Sequence, residues 1–204
     1  MTELAVLQAV RLKGRVSSTD LAATLNAELG DIAPTVERLT AAGLLTEGAT
    51  LRITGSGSDR LTALLAEERA DSDAAAIAAA YDDFRAVNAD FKRLVTDWQL
   101  KGGPDGDPNT HDDADYDAAV LARLDDVHAR TMPIIAAVAM HLPRLSAYAT
   151  KLTAALDKVR AGETAWLTRP LIDSYHTVWF ELHEELIVAV GLTREEAARS
   201  GDAQ

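Results

Sequence analysis

Cysteine is absent from the chain. Disulfides, thiolate nucleophiles and Cys-ligated zinc are thereby excluded. Aromatics are scarce, at 5% of residues, while alanine is abundant, a balance that favours helix over sheet. No apolar run approaches the ~18 residues that a membrane-spanning helix needs. The opening residues, MTELAVLQAVRLKGR, put acid ahead of the apolar positions and lack a small-residue cleavage site. They read against a signal peptide and for a cytoplasmic protein. Basic charge is also short: 20 Lys and Arg stand against 32 Asp and Glu, a net charge of -12. Such a balance argues against nucleic-acid binding by the molecule as a whole.

The deficit is uneven. Residues 1–65 carry Arg11, Lys13, Arg15, Arg38, Arg52 and Arg60 against Glu3, Asp20, Glu28, Asp31, Glu37, Glu47 and Asp59, which leaves this part at -1 and the remainder at -11. With 48% hydrophobic and 25% charged residues, a folded globular chain is expected. Its 204 residues allow one large domain or two small ones.

Glu3 to Leu12 has helical periodicity, with Leu4, Leu7, Val10 and Val6 inward, and Lys13-Gly14 ends it. Ser17 and Asp20 form a capping box for a second helix, with Val16 and Leu21 at the staple positions and Leu21, Ala22 and Leu25 inward. A third helix is expected near Asp31 as N-cap, with Pro34 inside a tolerant first turn and Ile32, Val36 and Leu39 inward. Gly43 closes it in a left-handed cap. Leu44 to Thr54 reads as a β-hairpin, with Arg52 pointing outward between Leu51 and Ile53. Thr54 to Ser58 then caps a helix with Leu61, Leu64 and Leu65 on its inner face.

The order helix, helix, helix, hairpin, helix, together with the passage ITGSGSDRLTALLAEER, resembles the winged helix-turn-helix of MarR-like bacterial regulators over about residues 1–70. In most such domains about seven positions separate the residues equivalent to Leu25 and Val36. Here they are eleven apart, so Asn26 to Gly30 lengthens the second helix or widens the turn.

After Asp71-Ser72-Asp73, the residues Ile77, Tyr81, Phe84, Asn88, Phe91, Val95 and Trp98 repeat at spacings of four and three. They form a heptad seam on a helix roughly 40 Å long from about Ala74 to Leu100. Asn88 in that seam reads as a register-fixing residue. Residues 101–115 form a polar loop, read as solvated and flexible. A second long helix begins at Asp112–Asp115, with Tyr116, Val120, Leu124, Val127, Thr131, Ile134 and Val138 inward and a kink expected at Pro133. Leu145, Tyr148, Leu152, Leu156 and Val159 mark a third helix, closed by Gly162. The fourth opens at Thr168 and Pro170 and is apolar on several sides (Ile172, Tyr175, Val178, Trp179, Leu182, Leu186, Val190), so it should be the most buried. Gly191 stops it. Thr193 and Glu196 cap a short last helix, and Ser200–Gln204 is expected to fray.

The fold expectation is mainly α. An N-terminal winged helix-turn-helix with a small β-hairpin wing covers 1–70. An antiparallel four-helix bundle-like domain follows at 73–192, then a short C-terminal helix and tail at 193–204.

The resemblance implies a recognition helix that turns Ala33, Pro34, Thr35, Arg38 and Ala41 toward base edges. Arg38 is suited to guanine, Thr35 to a phosphate or a thymine methyl, and Arg52 to the minor groove. Arg15 and Arg60 suit phosphate. Asp31 and Glu37 on the same helix would repel phosphate, which keeps open a winged helix used for protein contact. The function expected is a dimeric DNA-binding transcriptional regulator, not an enzyme. Its helical part would dimerise or hold a small-molecule effector. Tyr81, Trp98, Tyr175, His176, Trp179 and His183 are the effector-pocket candidates, with Trp166 beside them.

His176 and His183 lie seven apart with Phe180 between, roughly 10 Å along a helix. With His128 and His141 they read as core or interface histidines bonded to a carbonyl or a carboxylate such as Asp173 or Asp125, not as metal ligands. Asp105 to Asn109 begins like a calcium loop, but Thr110 and Tyr116 stand where glycine and a carboxylate are required. GSGS at 55–58 has no lysine and is no phosphate loop. No nucleophile or catalytic carboxylate frame appears, and no cofactor is expected. LDDVHAR and DSYHTVWFELHEEL make about residues 75–190 resemble a helical region attached to actinobacterial phosphoenolpyruvate-utilising proteins. The phosphorylated-His signature is missing, so that resemblance implies a partner or regulator of such chemistry.

Overall fold

The computed structural model describes residues 1–46 and 48–199. The expected fraying of Ser200–Gln204 lies outside them. The chain is mainly helical, with ten α-helices and a two-stranded antiparallel sheet among the described residues. It divides into two units, Met1–Ser72 and the chain from Asp73 onward.

In unit 1, α1 (Glu3–Lys13) is capped by the Thr2 hydroxyl and ends at Gly14, whose φ is +68°. Val6, Leu7 and Val10 are fully buried, while Leu4 is half-buried. Helix α2 (Ser18–Thr24) starts as expected: Ser17 Oγ accepts from the Asp20 amide at 3.1 Å and donates to the Asp20 carboxylate at 2.7 Å. Asp20 therefore meets the hydroxyl where a capping box would meet the backbone N–H. Val16 and Leu21 are both buried.

The eleven-residue spacing resolves differently from either expectation. Helix α2 stops at Thr24, Asn26 takes a left-handed φ of +50°, and α3 (Leu29–Ala41) begins two residues before Asp31, with Glu28 as an N-cap that makes no side-chain bond. Pro34 thus lies beyond the first turn. It deprives the Gly30 carbonyl of its partner. Ile32, Val36 and Leu39 face the core. Gly43, at φ +70°, closes the helix, and the Leu44 amide reaches back to the Leu39 carbonyl at 2.9 Å.

The expected hairpin of Leu44 to Thr54 is not a regular one. It is held by two single antiparallel bridges, Leu45↔Ile53 and Val16↔Leu51. The second ties the returning segment to Val16, two residues before α2. Helix α4 (Gly55–Ala70) is capped by Thr54, whose hydroxyl accepts from the Gly57 amide at 3.0 Å. Gly57 is required there, because a Cβ would meet the Leu44 carbonyl oxygen at 2.1 Å. Helix α1 packs on α2, α3 and α4, and α2 on α3.

Unit 2 begins with α5 (Ala74–Gln99), capped by Asp73. Every member of its heptad seam is buried. The 101–115 loop is exposed at most of its positions, as expected, but it is pinned at two places. Strands β1 (Leu100–Lys101) and β2 (Asp107–Pro108) pair, and Asn109, 8% exposed, donates to the Trp98 carbonyl at 3.1 Å and to Asp117 at 2.9 Å. Gly106 is packed against the Lys101 carbonyl, where a Cβ would sit at 1.9 Å.

Helix α6 (Ala114–Ala139) runs through Pro133 as one helix. A 3-10 turn (Pro143–Ser146) leads into α7 (Ala147–Arg160), and Gly162 follows at φ +89°. The expected fourth helix starts later than Thr168 and Pro170. A single turn, α8 (Ala165–Thr168), ends at Arg169, which is extended as a residue before proline must be. Leu171 has φ +68°. Helix α9 (Tyr175–Ala189) starts afresh on the Ser174 cap, which leaves Ile172 half-buried outside it. As expected, α9 is buried around nearly its whole circumference. Helix α10 (Arg194–Arg199) follows the Thr193–Glu196 capping box and adds Ala197 to the core. Helix α5 packs on α6 and α9, and α7 also packs on α6 and α9, closing a ring of four around one core.

Candidate functional site

Two regions concentrate side chains that a partner can reach. The first is the outer face of α3. Burial of Ile32, Val36 and Leu39 leaves Gly30, Asp31, Pro34, Glu37, Arg38 and Ala41 exposed. Thr35 is half-buried, and its hydroxyl donates to the Met1 carbonyl at 3.1 Å. Arg38 is bound to Glu3 at 3.1 Å. The same carboxylate accepts from Arg60 at 2.8 Å, and Arg60 also lies 3.7 Å from Glu67. The hydrogen bond from Arg60 holds the Glu3 carboxyl below its usual range against partial burial, and Arg38 adds to this. Arg15 and Arg52 are exposed, and the Arg52 amide is fixed by the Thr46 hydroxyl at 3.0 Å. A hollow of about 410 Å³ beside α3 is lined by Val36, Glu37, Thr40, Thr46 and Leu51, with Glu37 the one charged wall residue among the described residues. Of the six DNA-contact candidates, Arg38 and Arg60 thus converge on one acid, Thr35 turns to the chain start, and Pro34, Arg15 and Arg52 stand in solvent.

The second region is the α5–α9 side of unit 2. His176, Trp179, Phe180 and His183 lie at helical spacing on α9 and face Asn88, Phe91, Lys92, Val95 and Thr96 on α5 across a hollow of about 210 Å³. Three of the six effector-pocket candidates therefore share one wall. The other three are core. Tyr175 is fully buried, 5.5 Å from the Phe91 ring, and its hydroxyl lies 3.3 Å from His128 Nδ1. Tyr81 is 5% exposed. Trp98 is covered by His111 at 4.4 Å between ring centroids. Trp166 carries Lys158 over its ring at 3.4 Å.

Trp179 is held in place by its indole N–H, which donates to Asn88 Oδ1 at 2.8 Å, and by Phe91 at 4.3 Å. Asn88 is accordingly an acceptor for a residue 91 positions away. Desolvation lowers the pKa of His128, with Arg160 adding to the effect, and also that of the His176 ring, although His176 is exposed at the surface. Both are therefore neutral near pH 7. Among the described residues no three of His, Asp and Glu converge as a metal set. Asp125 pairs with Arg160 at 2.7 Å, and Asp173 lies 3.9 Å from Lys151.

Comparison with family models, curated proteins and solved structures finds no match.

Several residues escaped the sequence reading. Glu3 joins Arg38 and Arg60 across 35 and 57 positions. On α9 the buried Glu185 accepts from Arg144 at 2.5 Å and from the Tyr148 hydroxyl at 3.4 Å. Glu181 lies 3.7 Å from Lys151, and Glu184 pairs with Arg194. Each carboxylate meets a cation from another element, as buried charges require. Their signal was the crowding of acids on an otherwise apolar helix. Beside the α9 hollow, Arg85, Lys92 and Arg93 border a wider one. Their signal was a polar stripe next to the heptad seam.

Proposed function

We propose that this chain is a DNA-binding transcriptional regulator of the cytoplasm. In this reading unit 1 is a winged helix-turn-helix of MarR-like type, and unit 2 is a four-helix bundle-like domain that makes a homodimer and holds a small effector. The observation that carries it is the bridge between Val16 and Leu51, with Leu45↔Ile53 beside it. A segment before α2 pairs with a chain returning from beyond α3, while α1, α2 and α3 pack on one another. That arrangement supports a wing hinged on a helix-turn-helix. Dimerisation would set two α3 helices about one duplex turn apart, with Arg52 on the wing and Arg15 before α2 as the accessible cations.

The test is selection of bound duplexes from a random DNA pool by the full chain at low salt, followed by titration of the selected site. An enriched sequence is expected, with affinity that falls steeply with salt and collapses in an Arg38→Ala/Arg52→Ala variant. An empty selection, or a double variant that binds as well as wild type, overturns the assignment.

One observation favours a second reading, a protein-interaction module, with phosphoenolpyruvate or pyruvate metabolism as the process it would regulate. The exposed face of α3 carries Asp31 and Glu37, and its only arginine is engaged by Glu3. Such a face suits a basic protein surface better than phosphate.

A further inference from the structure

We propose that unit 2 binds a small organic anion in the α5–α9 groove, its acidic group on Lys92 and its apolar body against Phe180, over the floor that Trp179 makes. The proposal deepens the effector part of the reading above and rests on it, but it does not require DNA binding.

Two hollows adjoin along α5. The inner one is the 210 Å³ space walled by α9. The outer, about 530 Å³, lies between α5 and Gly103-Pro104 of the ordered loop. Asn88, Lys92 and Thr96 line both, so one turn-by-turn rail of α5 joins an aromatic end to a polar end. The size falls within the roughly 300–1,000 Å³ common for small-ligand sites.

The charge of this groove opposes that of the chain. In a protein of net -12, the outer hollow collects Arg85, Lys92 and Arg93. Its one acidic wall residue, Asp97, is offset by Arg123 at 2.8 Å. Arg85 leans on Asp82 at 3.4 Å. Arg93 shares Asp90 with Arg130, which holds that carboxylate at 2.7 Å. Lys92 differs from both. It stands at the junction of the hollows, half-buried, and among the described residues no carboxylate forms a salt bridge with it. A half-buried ammonium between arginines, with no acid of its own, is a place for an incoming carboxylate or phosphate.

The inner end suits a flat apolar body. Trp179, 3% exposed, bonded to Asn88 and packed on Phe84 at 5.0 Å and Phe91 at 4.3 Å, forms a fixed floor rather than an open face. Phe180 is 42% exposed beside it. His176 is neutral near pH 7, its pKa lowered by desolvation, so anion recognition falls to Lys92 and the two arginines.

Calorimetry on the full chain, with 2-naphthoate and 2-naphthyl phosphate as probes and neutral 2-naphthalenemethanol as control, tests the assignment. The indole N–H signals of the three tryptophans report the place. Either acid is expected to bind and to shift the Trp179 signal while Trp166 stays still, and the ratio of the two affinities names the acidic group. The alcohol should bind at least tenfold more weakly. Lys92→Gln should cost about tenfold, the scale of one charge-assisted hydrogen bond, with an unchanged melt, and Lys92→Arg should restore binding. Equal affinity for acid and alcohol, undiminished binding by Lys92→Gln, or no heat and no Trp179 shift at millimolar acid each overturns the proposal. Because no DNA is present, failure of operator selection leaves this result intact.

Discussion

Replacing Glu3 by Gln is expected to tighten DNA binding. Glu3 is the common acceptor for Arg38 at 3.1 Å and Arg60 at 2.8 Å, so removing one charge releases two guanidinium groups. It also brings residues 1–65 from -1 to neutral. Each phosphate contact contributes about 0.9 to the slope of log affinity against log salt. Between 50 and 200 mM salt, one added contact therefore costs roughly threefold in affinity and two roughly tenfold. The variant's advantage should be greatest at 50 mM and shrink by those factors at 200 mM. The penalty to the fold is modest, since the lost acid at the start of α1 interacts with the helix dipole by about 0.3–1 kcal/mol. Fluorescence anisotropy on a selected duplex at several salt concentrations measures the effect. Glu67→Gln, which loosens only Arg60 at 3.7 Å, serves as the smaller step. If Glu3→Gln remains folded by circular dichroism and binds no better than wild type, with an unchanged slope, the arginines do not face phosphate. The protein-interaction reading then gains what the DNA reading loses.

Asn88→Leu should orphan the buried indole N–H of Trp179, which is 3% exposed. The expected loss is about 1–3 kcal/mol, seen as a lower melting temperature. A double-mutant cycle with Trp179→Phe should show coupling, and a zero coupling energy refutes the pairing. Stability should also fall as pH drops below the ordinary histidine value of 6.5, because desolvation lowers the folded-state pKa of His128 and His176. In that window the unfolded chain binds more protons than the folded one, so unfolding is favoured as pH falls. Urea midpoints at about pH 7.5 and 5.5 should differ less in a His128→Gln/His176→Gln variant than in wild type, and an identical difference refutes the assignment.

Much of the local structure was legible from residue order. Ser17, Thr54 and Thr193 cap the helices they precede, and Gly43 and Gly162 take left-handed conformations where helices end. The α5 seam from Ile77 to Trp98 is buried throughout. These features depend on contacts three or four residues apart, which a linear reading contains. The start of the fourth helix was placed too early, at Thr168 and Pro170, because the apolar pattern already runs from Ile172, while the backbone at Arg169 and Leu171 is not helical and α9 begins only at Tyr175. The start of α3 was misread because Asp31 is a better cap by type than Glu28, yet the turn at Asn26 decides where the helix begins. The polar loop after α5 is exposed as expected, but its anchoring through Asn109 was not legible because the anchors, Trp98 and Asp117, lie outside it.

Sequence alone determined that this chain is mainly helical, with a long apolar seam in its larger part. Periodicity and capping chemistry act within a few residues and need no knowledge of neighbours. Only the tertiary structure decided which charges are engaged and which surfaces are open. Glu3 meets Arg38 and Arg60, Asn88 meets Trp179, and Lys92 meets no acid among the described residues. Those outcomes depend on which faces of distant segments pack together.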